Sequence, residues 1–260
     1  MNKPHVEKLI YQIKMLDSVD YDKASPVSKE NDVFKVLVDN KYVIFEIKEH
    51  FSNEFDARVV ADDFLEKWKI IIGLQNDPRE LDFEFKKSEI IDLEPPSPRE
   101  GHVALYAEPL VSYVTFSEKV TVHVGRNKFP DFPDTFLLSP DVETMYLRYC
   151  MYRKNQETLT SMANMCLTVF LASAGGRKEA SAKYNISKSV LRKLSELCAL
   201  KGEKHEARKA PKDGNYVGLT AEQRLWIESV VKALILRAGE WAYGPEATFE
   251  KISMDQFVTL

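Results

Sequence analysis

The chain is poor in what a membrane span, a disulfide framework or a metal centre requires. No apolar run in its 260 residues reaches the ~18 needed to cross a bilayer, since the best stretch, Leu159 to Ala174, is interrupted by Ser161, Asn164, Thr168 and Ser173. No membrane association is expected. Its cysteines, Cys150, Cys166 and Cys198, are odd in number and far apart, each inside an apolar helical pattern. That usage predicts buried, reduced thiols. The histidines at 5, 50, 102, 123 and 205 are scattered with no paired spacing to one another or to cysteine, so no metal is expected. Neither a phosphate-loop pattern nor a dinucleotide-binding glycine pattern occurs, so no cofactor is expected either. The opening stretch MNKPHVEKLIYQIK lacks the apolar block and small-residue cleavage site of a signal peptide, and a cytoplasmic location is the expectation. Acid pairs such as Asp62-Asp63, or Glu89 with Asp92, read as surface charge, because charged surface positions far outnumber catalytic ones. Nothing here resembles an assembled active site, and the chain reads as non-enzymatic.

What is present is enough apolar material for a sizeable core: 44% of residues are hydrophobic and 11% aromatic. The net charge of -4 is unevenly spread. Between Arg177 and Lys212 there are eleven Lys or Arg against four Glu, a local +7, which leaves -11 for the rest of the chain. A basic segment in an acidic protein is an electrostatic footprint for a polyanion, and is also compatible with an ordinary solvated helix face.

Periodicity divides the chain in two. Val6, Leu9, Ile10, Ile13 and Leu16 have helical spacing and predict a short amino-terminal helix. Val33 to Val38 and Tyr42 to Ile47 are β-branched and aromatic runs around Asp39-Asn40-Lys41, a hairpin pattern. Glu54 to Leu74 repeats apolar residues every three to four positions and predicts an amphipathic helix packed on the sheet. Strand character resumes at Leu81 to Phe85, Glu89 to Leu93, Val103 to Ala107, Leu110 to Phe116 and Lys119 to Val124. The stretch Asn127 to Phe136, with two Phe-Pro-Asp steps, predicts a stiff strap whose Phe129, Phe132 and Phe136 cover the seam between the halves. Beyond it everything reads helical. Ser139 is an N-cap with Pro140 at the first helical position, Gly175-Gly176 ends the second helix, and Thr220 to Gln223 is a capping box that opens the last one. That helix is expected to reach Gly239, with a short tail folding back on the bundle. The expected fold is α+β: a mostly antiparallel sheet with a packed helix over residues 1–138, then a helical bundle over 139–260.

The segment from Arg177 to Leu194, RKEASAKYNISKSVLRKL, suggests a partner class. Ala180 and Ser181 are small enough for close helix contact, Asn185 tolerates a left-handed turn, Ser187 can cap a following helix, and Leu191 and Leu194 supply apolar anchors. The segment resembles a helix-turn-helix. That resemblance implies a DNA-reading surface of Lys183, Lys188, Ser189, Arg192 and Lys193, with Arg192 suited to a bidentate contact and the lysines to phosphates. The same small residues and leucines also suit plain helix packing.

The carboxyl half as a whole, with its long helix, basic turn and capped final helix, resembles the HEPN-type bundles of bacterial defence and RNA-cleaving proteins. Active members of that superfamily carry an arginine followed a few residues later by a histidine. Here the nearest candidate, Lys201 to Ala210, places His205 before Arg208, so the resemblance implies an inactive scaffold. The sequence therefore predicts a non-enzymatic, bacterial-type cytoplasmic protein that contacts DNA or RNA through its basic helical segment. A protein-interaction subunit with a protein partner, and an RNA-cleaving HEPN relative, are the alternatives.

Overall fold

Strands and helices segregate along the chain in the computed structural model, which describes residues 3–39, 41–94, 124–200 and 217–260 and has an α+β fold. It divides into two compact units, one formed by Met1–Glu66 and Arg79–Asp131, the other by Lys67–Pro78 and Phe132–Leu260. The division is thus interleaved where a single boundary near 138 is expected from the sequence.

In the first unit, β1 (Pro4–Met15), β3 (Val27–Glu30), β4 (Phe34–Asp39), β5 (Tyr42–Ile47) and β6 (Leu81–Asp92) form an antiparallel sheet in the order β3-β4-β5-β1-β6. A short parallel pair, β2 (Val19–Asp20) with β7 (Val124–Gly125), stands apart from it. One sheet face buries Leu9, Tyr11, Ile13, Val36, Val38, Val43 and Phe45. The part of helix α1 (Glu54–Gln75) up to Glu66 lies on that face: the Phe64 ring meets Phe34 and Phe45 edge-on, and the Tyr11 hydroxyl donates to Asp62 at 2.7 Å. Burial and the Asp62 carboxylate together push the Tyr11 ionisation well above its ordinary range. On the opposite face Glu30, Lys35, Glu46, Lys8 and Glu89 stand in register across all five strands, an alternating-charge ladder.

The amino-terminal segment is a strand where its spacing predicts a helix. The pairing of β1 with β6 shifts register between Val6 and Lys8 and again between Ile10 and Tyr11. A bulge inserts one residue and so changes the buried positions from every second residue to 6, 9, 11 and 13, which imitates a helical period at its start. The same pairing makes β6 one continuous strand where two are expected. The strands expected between residues 103 and 123 lie outside the described residues, apart from the final Val124.

The second unit holds α2 (Pro140–Arg153), α3 (Leu159–Ala172), α4 (Arg177–Lys183), α5 (Lys188–Leu200) and α6 (Ala221–Tyr243), with a 3-10 turn at Met254–Gln256. Ser139 caps α2, and the Thr220–Gln223 capping box opens α6. Ile70, Ile71 and Leu74 from the last turns of α1 share one core with Met145, Tyr149, Met162, Phe170, Leu191, Leu194, Trp226, Val230 and Leu234. Arg153 ties Asp77 at 2.6 Å and Glu228 at 2.9 Å, and Glu228 accepts the Tyr149 hydroxyl at 3.0 Å. Each strap aromatic finds a partner inside its own unit: Phe129 stacks on Tyr21, Phe132 meets Trp68, and Phe136 lies against Gly239. Among the described residues no single helix is long and apolar enough to cross a membrane.

Helix α6 continues past Gly239, the expected stop, to Tyr243. The glycine serves packing there, because a Cβ at 239 would fall 2.1 to 2.6 Å from atoms of the buried Phe136 ring. Gly→Ala inside a helix ordinarily gains about 1 kcal/mol. At this site Gly239→Ala is expected to reverse that sign and lose roughly 1–3 kcal/mol through overpacking, read as a lowered urea midpoint with unchanged m. The thiols give a second check. Burial pushes the Cys166 thiol up to about 12, and Cys198 is fully buried, whereas Cys150 is only partly buried. A native thiol titration is expected to modify Cys150 alone, with Cys166 and Cys198 reacting only after unfolding.

Candidate nucleic-acid interface

Helix α3 ends where Gly175 (φ 86°) and Gly176 (φ 135°) take conformations closed to most side chains, and α4 leaves at 78° to it. The seven-residue α4 packs through Ala180, which is fully buried. Tyr184 to Ser187 then turn the chain, with Asn185 at φ 47°, the left-handed region that asparagine tolerates better than most residues. The Ser181 hydroxyl closes the turn by donating to the Ile186 carbonyl at 2.6 Å. Ser187 opens α5: its carbonyl accepts from the Val190 and Leu191 amides, and its side-chain oxygen accepts from the Ser189 amide. The left-handed asparagine and the serine at the start of α5 stand where the sequence pattern puts them.

Helix α5 is sharply two-faced. Val190, Leu191, Leu194, Leu197 and Cys198 are buried, while Lys188, Ser189, Arg192 and Glu196 are exposed. Lys188, Arg192 and Glu196 follow one another at four-residue intervals and so form a single row on the helix surface. Neither Lys188 nor Arg192 makes a hydrogen bond or ion pair among the described residues. Ser189 shares a 2.6 Å hydrogen bond with Ser187. Lys193 is one-third exposed and reaches Glu196 at 3.5 Å, a surface pair of small energetic weight.

Lys183 is placed differently from the other four candidates. Its ammonium donates to the Ser173 carbonyl at 2.8 Å, at the carboxyl end of α3, and lies 3.9 Å above the Trp241 ring and 4.9 Å from that of Tyr184. It neutralises a helix terminus and fills an aromatic niche within the bundle. The structure therefore groups Lys188, Ser189, Arg192 and Lys193 on α5 and sets Lys183 apart. Arg177 and Lys178, in the first turn of α4, are exposed as well. Residues 201–216, which include His205, Arg208 and the remainder of the basic run, lie outside the described residues. Over Arg177 to Leu200 six Lys or Arg face two Glu, so the described part keeps a positive balance.

The inner side of the turn is occupied by the returning tail. Ile252 pairs with Ile186 as a parallel bridge: the Ser187 amide donates to the Ile252 carbonyl at 2.8 Å, and the Ile252 amide donates to Asn185 at 3.0 Å. The Asn185 side chain donates to the Phe249 carbonyl at 2.8 Å. Beneath them is Arg237 of α6, 7% exposed, which donates to the Tyr184 carbonyl at 2.6 Å, to the Glu250 carbonyl at 2.8 Å and to the Glu240 carboxylate at 2.9 Å. The Phe249 ring lies 5.0 Å from the same guanidinium. Sequence reasoning overlooks this residue. Its only sign is an arginine between Leu234, Ile235, Leu236 and Ala238, a cation in an otherwise apolar helical run.

Among the described residues no group of three His, Cys, Asp or Glu is placed to hold a metal ion. Comparison of the chain with protein-family models, with curated proteins and with solved structures finds no match. The functional reading accordingly rests on the geometry of this corner.

Replacing a buried arginine that donates three hydrogen bonds leaves two backbone carbonyls and a carboxylate without this donor. Arg237→Met is expected to lose about 3–5 kcal/mol of unfolding free energy in urea titration.

Proposed function

We propose that the helical unit binds nucleic acid, with duplex DNA as the first candidate, through the outer face of α5 presented in a helix-turn-helix-like corner. One observation carries the reading: Lys188 and Arg192 stand one turn apart at the start of α5, exposed and without an internal partner among the described residues. Charges that serve the bundle are engaged with it, as Lys183 and Arg237 are. In this reading Lys188 and Lys193 neutralise phosphates, Arg192 reaches a base edge or a phosphate, and Ser189 adds a hydroxyl contact. The exposed Arg177 and Lys178 extend the cationic surface. The role is binding without catalysis, in a cytoplasmic setting.

A second reading, a protein-interaction subunit, draws on the first unit. Phe55 is 76% exposed and Val59, one turn on along α1, is 55% exposed, an apolar pair beside Asp56 and Asp63.

The two separate by fluorescence anisotropy with a mixed-sequence 20-base-pair duplex, titrated with salt. Binding through α5 is expected to weaken steeply as salt rises, and Lys188→Gln with Arg192→Gln is expected to lower the salt slope by about 2. The melting temperature should stay where it is, since both side chains are solvated. Duplex affinity that ignores the double substitution overturns the nucleic-acid reading, and no duplex binding at low salt leaves the interaction-subunit reading in its place.

A further inference from the structure

The α4–α5 corner is held from three directions that have nothing to do with α4 and α5 themselves. Ile252 supplies backbone pairing to both sides of Ile186, Phe249 supplies the acceptor for the Asn185 side chain, and Arg237 joins the Tyr184 carbonyl of the turn to the Glu250 carbonyl of the tail. Within the turn itself the closing side-chain bond is that from Ser181 to the Ile186 carbonyl. Asn185 is a non-glycine residue at φ 47°, a conformation that persists when surrounding contacts fix it. Its side chain and its carbonyl are both held from 249–252.

We propose that residues 249–252 act as a clasp that sets the angle at which α5 presents Lys188 and Arg192, with Asn185 and Arg237 as the positioning residues through which the clasp acts. The inference rests on the nucleic-acid reading above and adds its control: the binding face is competent when the tail is docked and loses competence when the tail is released. Lys188 and Arg192 carry the charge, and the tail carries the alignment. Asp255 is bonded to the Ser253 hydroxyl, and Glu250 enters the clasp through its carbonyl. Arg237 is paired with Glu240, and Lys183 sits on the Ser173 carbonyl.

The test uses the full chain with two substitutions that spare the cations. Asn185→Gly keeps a residue at home at positive φ and removes only the bond to Phe249. Ile252→Pro removes the amide that donates to Asn185. Two readouts are taken: hydrogen exchange at the Ser187 amide in both variants and at the Ile252 amide in Asn185→Gly, and affinity of both variants for the 20-base-pair duplex at fixed salt. Loss of one clasp bond is expected to speed exchange at the bridge amides about five- to tenfold, with α2 and α3 amides unchanged. Duplex affinity is expected to fall about tenfold in both variants although every cation remains. Faster exchange with undiminished affinity overturns the positioning role and leaves the nucleic-acid reading standing. Unchanged exchange at the Ser187 amide in both variants overturns the clasp itself. Failure of the unsubstituted protein to bind duplex overturns the nucleic-acid reading, and the control proposed for it falls with it.

Discussion

A guanidinium removed from water must find acceptors for its N–H groups, and at Arg237 that requirement organises the far end of the helical unit. Two of its acceptors are backbone carbonyls from segments that are distant in sequence, Tyr184 and Glu250, and the third is the Glu240 carboxylate one turn away on α6. The carboxylate offsets the charge and the carbonyls take up the remaining directionality. Hydrophobic packing alone would bring α5 and α6 together, but it has no means of specifying where an irregular tail should lie. A fork of donors in a fixed plane has that means.

The first unit solves the same problem with the opposite charge. Glu80, almost fully buried, accepts the Tyr21 hydroxyl at 2.5 Å and takes two bonds from Arg126, at 3.1 and 2.8 Å. Burial, followed by the Glu80 interaction, drives the Tyr21 ionisation well above its ordinary range, so the phenol stays a donor. Around this group the segment after β1, the short β2–β7 pair and the approach to β6 meet through backbone bonds from Leu16 to Glu80 and from Arg126 to Asp20. In both units irregular segments are fastened by a buried charge that bonds to several of them.

Distance along the chain explains what could be read from the amino acids alone. The β4–β5 pair, α1, the Ser139 cap and the Thr220 box were legible because each depends on neighbours within a few positions, and Asn185 because asparagine itself tolerates the left-handed region. The amino-terminal strand was not, because a bulge against β6 broke the period of two. Gly239 read as a stop because the ring that demands a glycine comes from Phe136, about a hundred positions away. Within the candidate site, Lys188, Ser189, Arg192 and Lys193 came from helical register, while the different placement of Lys183 depended on Trp241 and Ser173. The docking of the tail on the turn, through Arg237 and Ile252, left hardly any trace in local pattern.

The bridge between Ile186 and Ile252 joins positions 66 apart, 252 less 186. Helices such as α4 and α5 nucleate from local contacts within about a microsecond, whereas a closure of that span must wait for the intervening chain to be arranged. The mutual geometry of α4 and α5 therefore includes a long-range contact that neither helix supplies itself. The corner is complete only with the tail docked behind it, so its geometry reports on the state of a segment some 64 residues further along the chain.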